Sequence, residues 1–336
     1  MTQKQSHISV IGAGAWGTAL AQVFAEAGHS ITLYAREPGL ANNINVNKHN
    51  DLYLTGIPLS SNIHATDSLT GAVKGADIIL LVTPTQFVRS VLAELKPHLP
   101  PQAPIVSCAK GIEIATGKLL SEVAAEILPG TPYAVLSGPT FAHEVARGLP
   151  TAVTFATSAK TEQAEKWAQI LSSKTFRPYL SHDVVGAEIG GAIKNVIAIA
   201  CGIVDGKGLG QNAKAAVMTR GIAEIKRLGL KRGAEADTFL GLSGLGDLTL
   251  TCNSMSSRNY SLGSALGHGR KLDDILGERR SVAEGVTTAR AIALNAHKLH
   301  VEMPIAAAVD KILHHGADIN AVISGLLSRD LKQESQ

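Results

Sequence analysis

The sequence predicts an α/β fold in which an N-terminal, doubly wound, mostly parallel sheet is followed by a mostly α-helical region. Apolar β-branched runs alternate with helical patterns up to about residue 180, which is typical of parallel sheets. From about Ser181 onward only helical patterns follow, and the length of 336 residues suits two domains. We therefore expect a sheet domain over 1–180 and an all-helical domain over 181–336. Because no Pro/Ser-rich linker separates them, they should pack together around a cleft.

A glycine motif joins the first strand to the first helix. Gly12, Gly14 and Gly17 separate an apolar run from a helical segment over 18–27, and a second apolar run follows at 31–34. This G-x-G-x-x-G spacing in a strand–helix–strand unit predicts a Rossmann-type domain that binds a dinucleotide. The glycines permit a tight turn, backbone contact with a pyrophosphate and close helix packing. The alternative is an ordinary glycine-rich turn.

The end of the second strand bears on which dinucleotide is bound. An acidic residue normally contacts the ribose 2′-hydroxyl of NAD there. Here Arg36 occupies the position, and we expect Glu37 to point elsewhere. Because a guanidinium pairs well with a 2′-phosphate, the sequence favours NADP(H) over NAD(H). A solvated surface arginine is the alternative.

The remaining elements follow in order after a short helix and a loop that carries Tyr53. The continuous apolar run at 76–82 predicts a central strand of the sheet. The other predicted strands are 63–66, 105–108, 133–136, 152–156 and 176–179. The predicted helices are 69–74, 87–95, 119–128, 162–171, 184–204, 213–228, 238–241, 261–266, 272–275, 287–299, 305–313 and 319–327.

Composition excludes several classes of partner. The net charge is only +3, no basic stripe is present and aromatic residues are 4% of the chain, so we expect no nucleic acid. We expect no apolar stretch of the length of a membrane span and no signal peptide before the first strand. The isolated cysteines at 108, 201 and 252 suggest free thiols in a reducing cytoplasm. No residue cluster has the spacing of metal ligands, so we expect no metal site.

The helix at 184–204 carries a lysine on a strip of small residues. Gly190 and Gly191 precede Lys194 by four and three positions and share its helix face. An interior glycine costs on the order of 1 kcal/mol relative to alanine, so this pair indicates close approach of a ligand or backbone, or tight helix packing. Because desolvation lowers the pKa of a lysine towards the range of a general acid or base, we expect Lys194 to be functional.

Other candidate residues follow predicted strands and glycine-rich turns. Lys110, Gly138 and Thr140 come after strands, at the edge of the sheet where ligands bind. A surface lysine and an ordinary loop are the alternatives. Glycine-rich turns around Asp247 lead to a Ser-Arg-Asn cluster at 257–259, whose hydroxyl, guanidinium and amide groups suit a phosphate. For this cluster alone, a helix N-cap with a surface arginine is the better interpretation.

Taken together, these segments resemble the bacterial-type NAD(P)-dependent glycerol-3-phosphate dehydrogenases. The shared motifs cover nearly the whole chain in order: VIGAGAWGTALA, AKGIE, LSGPTFAHEVARGLPTAV, GGAIKNVIAIACGIVDG, GLGDLTLTC, SRN, VAEG and MPI. The resemblance implies reversible hydride transfer between NAD(P)H and dihydroxyacetone phosphate. The product, sn-glycerol 3-phosphate, would supply phospholipid synthesis, and the family implies a homodimer.

The resemblance also implies roles for the matching residues. Lys194 matches the proton donor and acceptor, and Lys110 matches a residue that touches both substrate and cofactor. The implied substrate contacts are these lysines with Gly138, Thr140, Asp247, Ser257, Arg258 and Asn259. The implied cofactor contacts, beside the three glycines of the motif, are Ala15, Trp16, Arg36, Tyr53, Lys110, Ala142, Arg258, Val282 and Glu284. Many family members have serine at the position of Ala15, so a hydroxyl contact to the phosphates is lost here while a backbone N–H contact survives.

Two other functions stay open. A β-hydroxyacid dehydrogenase or ketopantoate-type reductase also pairs a Rossmann domain with a helical domain that holds a lysine, but it needs a carboxylate-binding site. A non-catalytic NADP(H)-sensing protein would need neither Lys110 nor Lys194.

Overall fold

The computed structural model describes residues 5–278, 283–330 and 333. The strands are β1 (His7–Ile11), β2 (Ser30–Tyr34), β3 (His49–Asn50), β4 (Leu54–Pro58), β5 (Ile63–Thr66), β6 (Ile78–Leu81), β7 (Ile105–Ser107), β8 (Tyr133–Ser137), β9 (Thr151–Thr157) and β10 (Phe176–Ser181). The helices before residue 180 are α1 (Ala15–Glu26), α2 (Leu40–Asn47), α3 (Leu69–Ala72), α4 (Val88–Leu95), α5 (Leu120–Ile127), α6 (Ala142–Ala146) and α7 (Thr161–Ile170). The later helices are α8 (Val184–Gly206), α9 (Gly210–Lys231), α10 (Asp247–Cys252), α11 (Arg258–Gly267), α12 (Leu272–Gly277), α13 (Glu284–Leu299), α14 (Pro304–His314) and α15 (Ile319–Leu327).

Eight strands form one sheet in the order β10-β9-β8-β7-β6-β1-β2-β5. All neighbours are parallel except β8 and β9, which run antiparallel. Successive residues of β6 face opposite layers, since Ile78 and Leu80 join one apolar cluster and Ile79 and Leu81 join the other. This burial on both faces is why the strand is continuously apolar, and it confirms the predicted doubly wound sheet.

The segment that carries Tyr53 differs from the predicted loop. It is an antiparallel hairpin of β3 and β4, and Tyr53 lies in its turn. The buried amide of Asn50 fixes the hairpin by donating to Ala13 O at 2.8 Å and to Thr18 Oγ1 at 2.7 Å. These are long-range contacts with the glycine turn, which local sequence patterns do not reveal.

The described residues from 184 to 330 contain no strand and pack around α8. The contact between α8 and α11 is unusually close because glycines face each other. A Cβ on Gly267 would lie 2.7 Å from Ile203 O, and Cβ atoms on Gly202, Gly206 and Gly263 would collide with the backbone of the facing helix. Larger side chains would force these helices apart.

The expectation that no apolar stretch reaches the length of a membrane span is wrong for α8. This helix is long and apolar enough to cross a membrane, but almost all of its most apolar window is buried inside the protein. In the part of the chain that the structure describes, α8 is the one helix with the length and hydropathy of a membrane span. Its apolar residues therefore form the core around which the other helices pack.

Candidate active site

The glycine turn leaves room for a phosphate group. Gly12 has φ +121°, and a Cβ there would lie 3.0 Å from Val82 O. A Cβ on Gly17 would collide with Gly12 O, whereas one on Gly14 would have no described atom within 4 Å. Gly14 is the N-cap of α1 and no described side chain caps this helix. A ligand can therefore approach Gly14 and the first N–H groups of α1, at Ala15 and Trp16, which no described side chain caps.

Three side chains come together beside this turn, at the end of β2. The glycine turn is tied to β2 by a hydrogen bond from Gly12 N to Tyr34 O at 3.2 Å. Tyr53 OH donates to Glu37 Oε1 at 2.9 Å, and an Arg36 guanidinium nitrogen lies 3.9 Å from the same oxygen. We expected Glu37 to point elsewhere, but its carboxylate lies with Arg36 and Tyr53.

Two lysines share one carboxylate at the junction of the sheet and the helices. Lys194 Nζ donates to Asp247 Oδ1 at 2.6 Å, and Lys110 Nζ donates to Asp247 Oδ2 at 2.7 Å. Lys110 also donates to Gly138 O at 3.0 Å. Lys194 donates to Thr251 Oγ1 at 2.8 Å. One lysine comes from the loop after β7 and the other from α8, so this cluster joins the two halves of the chain.

Burial controls the protonation of this cluster. The Asp247 side chain is 0% exposed, that of Lys194 is 8% exposed and that of Lys110 is 16% exposed. Burial lowers the pKa of Lys194 to about 8, although the Asp247 carboxylate acts in the opposite direction. Burial opposes ionisation of Asp247, yet the two ammonium groups outweigh it and lower the pKa of this carboxyl. The cluster therefore holds an ionised carboxylate and a lysine whose proton is readily lost.

The two glycines before Lys194 have identifiable packing partners. A Cβ on Gly190 would lie 2.5 Å from Ser243 O. One on Gly191 would lie 2.8 Å from Ser137 Oγ and 3.5 Å from Lys110 Cγ. The small residues of α8 therefore let the backbone of residues 243–244 and the side chain of Lys110 approach Lys194.

The Ser-Arg-Asn cluster begins α11. Ser257 is the N-cap, and its Oγ accepts a hydrogen bond from Tyr260 N at 3.2 Å. Asn259 is buried, donates to Asn195 Oδ1 at 2.9 Å and accepts from Gly285 N at 3.0 Å. Arg258 lies between them and is exposed. The N-cap interpretation is thus correct for Ser257, and the cluster still presents a guanidinium and a helix N-terminus.

The remaining predicted contacts lie in the loop after β8 and at the starts of α6 and α13. Thr140 Oγ1 donates to Gly138 O at 3.2 Å, and Ala142 begins α6. Glu284, at the start of α13, accepts from Thr85 N at 3.2 Å and so links the helical half to the loop after β6. Val282 lies outside the described residues.

Sequence reasoning did not select Thr251. It lies one helical turn after Asp247 on α10, accepts from Lys194, and donates to Asp247 Oδ1 at 3.1 Å. The signal available in the sequence was the i,i+4 spacing, which places both side chains on one helix face. The spacing does not show that Lys194 also faces these side chains, because Lys194 and Asp247 are 53 residues apart in the sequence.

Comparisons with known proteins identify the family. A profile described as "NAD-dependent glycerol-3-phosphate dehydrogenase N-terminus" matches residues 7–163, and the corresponding C-terminus profile matches residues 183–324. The chain belongs to this family. A glycerol-3-phosphate dehydrogenase (NAD(P)+) of Rhodospirillum rubrum is 56% identical over 334 residues, which are 99% of this chain and 95% of the relative. The enzyme of that name from Parvibaculum lavamentivorans is 53% identical, with full coverage of both chains.

Solved structures agree with this assignment. The crystal structure of glycerol-3-phosphate dehydrogenase from Coxiella burnetii is 36% identical, covers 97% of this chain and 99% of its own, and has a TM-score of 0.93. A ketopantoate reductase from Ralstonia eutropha is 16% identical with a TM-score of 0.60, so it shares only the fold. The predicted family, the enzyme class and the use of an NAD(P) cofactor are confirmed. The preference between NADP(H) and NAD(H) stays a prediction.

Proposed function

We propose that this protein catalyses the reversible, NAD(P)H-dependent reduction of dihydroxyacetone phosphate to sn-glycerol 3-phosphate, the precursor of phospholipid synthesis. The observation that carries the proposal is the pair of lysines, Lys110 and Lys194, on one buried carboxylate, Asp247. A carbonyl reduction needs a positive group and a proton at the carbonyl oxygen, and this cluster provides both.

Lys194 is the proton donor in this mechanism. When bound, the reduced nicotinamide supplies a hydride to the carbonyl carbon of the substrate. Negative charge then develops on the carbonyl oxygen, and the Lys194 ammonium stabilises it and transfers a proton to it. Since burial brings the pKa of Lys194 to about 8, the group is charged at neutral pH but releases its proton readily. In the reverse direction the neutral amine accepts the proton.

Asp247 and Lys110 support this step. Asp247 has both oxygens occupied, so it fixes the two ammonium groups relative to each other. Lys110 adds a second positive charge on the substrate side. Thr251 accepts from Lys194 and so restricts the rotation of its ammonium group. Because these charged groups are already in position, they can stabilise the developing negative charge without rearranging during the reaction.

The substrate phosphate is assigned to the start of α11. Arg258 is an exposed residue, although partial burial of its guanidinium lowers the pKa of that group. Ser257 retains its hydroxyl proton because its oxygen accepts the hydrogen bond of the N-cap. The Asn259 amide keeps one hydrogen beyond its bond to Asn195. These donors favour a phosphate over a carboxylate, and they orient the carbonyl towards Lys194.

The cofactor contacts are proposed on the same grounds. The N-terminus of α1 binds the pyrophosphate, and the end of β2 with Arg36 and Tyr53 binds the ribose of the adenosine. The further cofactor contacts proposed from the resemblance are Lys110, Ala142, Arg258 and Glu284.

We further propose a boundary between the two domains near residue 180, a cytoplasmic location and a homodimer. The last strand ends at Ser181 and α8 begins at Val184, which supports the boundary. The three cysteines are free and buried, as in reducing compartments. The apolar helix α15 has no buried residue, and Leu327 is 82% exposed, which supports an interface there.

The direct test is oxidation of NADPH and NADH, followed at the nicotinamide absorbance, with dihydroxyacetone phosphate as substrate. Turnover supports the proposal, and the ratio of the two rates gives the preference for the cofactor. Tight binding of a nucleotide with no turnover would refute the proposed substrate. Turnover of a β-keto acid such as ketopantoate in the same preparation would then favour the hydroxyacid reductases.

A further inference from the structure

The residues that follow β2, where the adenosine ribose is expected, carry opposite charges on adjacent side chains, Arg36 and Glu37. Arg36 is 72% exposed and its guanidinium lies 5.9 Å from the ring centre of Phe87, in the loop after β6. Glu37 is the only carboxylate in residues 35–39. Its side chain is 30% exposed and one of its oxygens lies 3.9 Å from Arg36.

The Glu37 carboxylate is held by a chain of contacts that starts in the glycine turn. Asn50 fixes the hairpin of β3 and β4 to Ala13 O and to Thr18. Tyr53, in the same hairpin, donates its hydroxyl to Glu37 Oε1 at 2.9 Å. The position of Glu37 is therefore coupled to the turn proposed to receive the pyrophosphate, and 30% of its side chain stays exposed to a ligand.

We propose that Glu37 determines the choice between NADH and NADPH, by accepting a hydrogen bond from a ribose 2′-hydroxyl and repelling a 2′-phosphate. This proposal rests on the proposed function, since it concerns the same cofactor site. A charge-assisted hydrogen bond to a carboxylate is stronger than a neutral one, so Glu37 favours NADH. A 2′-phosphate carries more than one negative charge, which Glu37 repels and Arg36 attracts.

The two residues thus act in opposite directions, and Arg36 alone does not set the preference. Because Glu37 lies beside the guanidinium, it also neutralises part of the charge that would bind a 2′-phosphate. Tyr53 is a positioning residue that keeps the carboxylate in place. This arrangement allows both cofactors to bind and makes their ratio sensitive to one carboxylate.

The experiment measures the dissociation constants of NADPH and NADH by quenching of protein fluorescence, and kcat/KM for both with dihydroxyacetone phosphate. Glu37→Gln should shift both ratios about tenfold towards NADPH, since one charge-assisted hydrogen bond is lost and one repulsion is removed. Arg36→Gln should shift the ratios in the opposite direction. Tyr53→Phe should shift them in the same direction as Glu37→Gln, but by less. Glu162→Gln, an equal change of charge at an exposed site on α7, should leave the ratios unchanged.

The proposal is overturned if the NADPH-to-NADH ratios of Glu37→Gln, for the dissociation constants and for kcat/KM, stay within twofold of those of the unaltered protein. An equal change of affinity for both nucleotides would also overturn it. If Glu37→Gln does not fold, an unchanged ratio in Tyr53→Phe overturns it and a shift towards NADPH supports it. The binding ratio distinguishes this proposal from the proposed reaction, because a protein that binds both nucleotides but does not turn over dihydroxyacetone phosphate still reports on Glu37.

Discussion

Asp247→Asn tests the electrostatic account of the lysine cluster. The change removes the negative charge but keeps the shape of the side chain. Two ammonium groups then face a neutral amide in a site where Asp247 is fully buried. Each lost charge-assisted hydrogen bond contributes about 1.5–3 kcal/mol. A loss of about 3 kcal/mol in transition-state stabilisation lowers kcat by about 100-fold.

The pH dependence gives a second, independent result for this variant. In the unaltered protein, reduction needs protonated Lys194, so kcat for reduction should fall above a pH of about 8 while kcat for oxidation rises. The Asp247 carboxylate raises the pKa of Lys194 against the stronger effect of burial. Without that carboxylate the pKa of Lys194 falls further, and the pH at which reduction is lost moves lower.

The assay is kcat for both directions across a pH range of about 5 to 10, together with urea denaturation. Breaking a buried ion pair costs about 3–5 kcal/mol, so the variant should unfold at lower urea concentration but remain folded in buffer. Asp237→Asn, at an exposed position in the same half of the chain, is the control and should change neither property. A folded Asp247→Asn with kcat within about threefold of the unaltered protein and the same pH profile would refute this reasoning.

Three further changes test other parts of the account. Burial raises the pKa of Glu188 to about 7 from 4.5, so between these pH values the native carboxyl keeps a proton that the unfolded chain releases. The free energy of unfolding should therefore fall by roughly 3 kcal/mol as the pH rises through that interval. In urea denaturation, Glu188→Gln should remove this loss of stability, while the similar pH-dependent loss from Glu224 remains. An unchanged loss of stability in Glu188→Gln would contradict the prediction. Gly263→Ala should destabilise the protein by about 2 kcal/mol or more because α8 lies too close, whereas Gly325→Ala, in open space among the described residues, should be neutral or stabilising; equal thermal shifts would contradict it. Arg258→Ala should raise KM for dihydroxyacetone phosphate by at least about 10-fold but leave dihydroxyacetone unaffected, and equal effects on both would exclude a phosphate contact.

The parts of the fold that depend on local pattern were predictable from sequence. Gly12 and Gly17 mark the glycine turn because a Cβ on either would meet backbone atoms, whereas a Cβ on Gly14 would have no described atom within 4 Å. The strip of small residues before Lys194 likewise indicated close packing, and the structure supplies the partners in Ser243 and Ser137.

Other features depend on contacts between distant segments. The pairing of Lys194 with Asp247 joins helices that are 53 residues apart, and the hairpin at Tyr53 depends on Asn50 reaching Ala13. The position of Glu37 follows from that hairpin. Periodicity and propensity describe one segment at a time, so they do not predict these contacts.

The central claim, that Lys194 transfers the proton, is tested most directly by Lys194→Ala. The measurement pairs kcat for dihydroxyacetone phosphate reduction with the dissociation constant of NADPH, and Lys166→Ala, at an exposed position on α7, is the control. The account predicts that kcat falls by about 10³-fold or more while NADPH binds within about threefold of its original affinity. A variant that binds NADPH normally and retains kcat within about tenfold would contradict the claim.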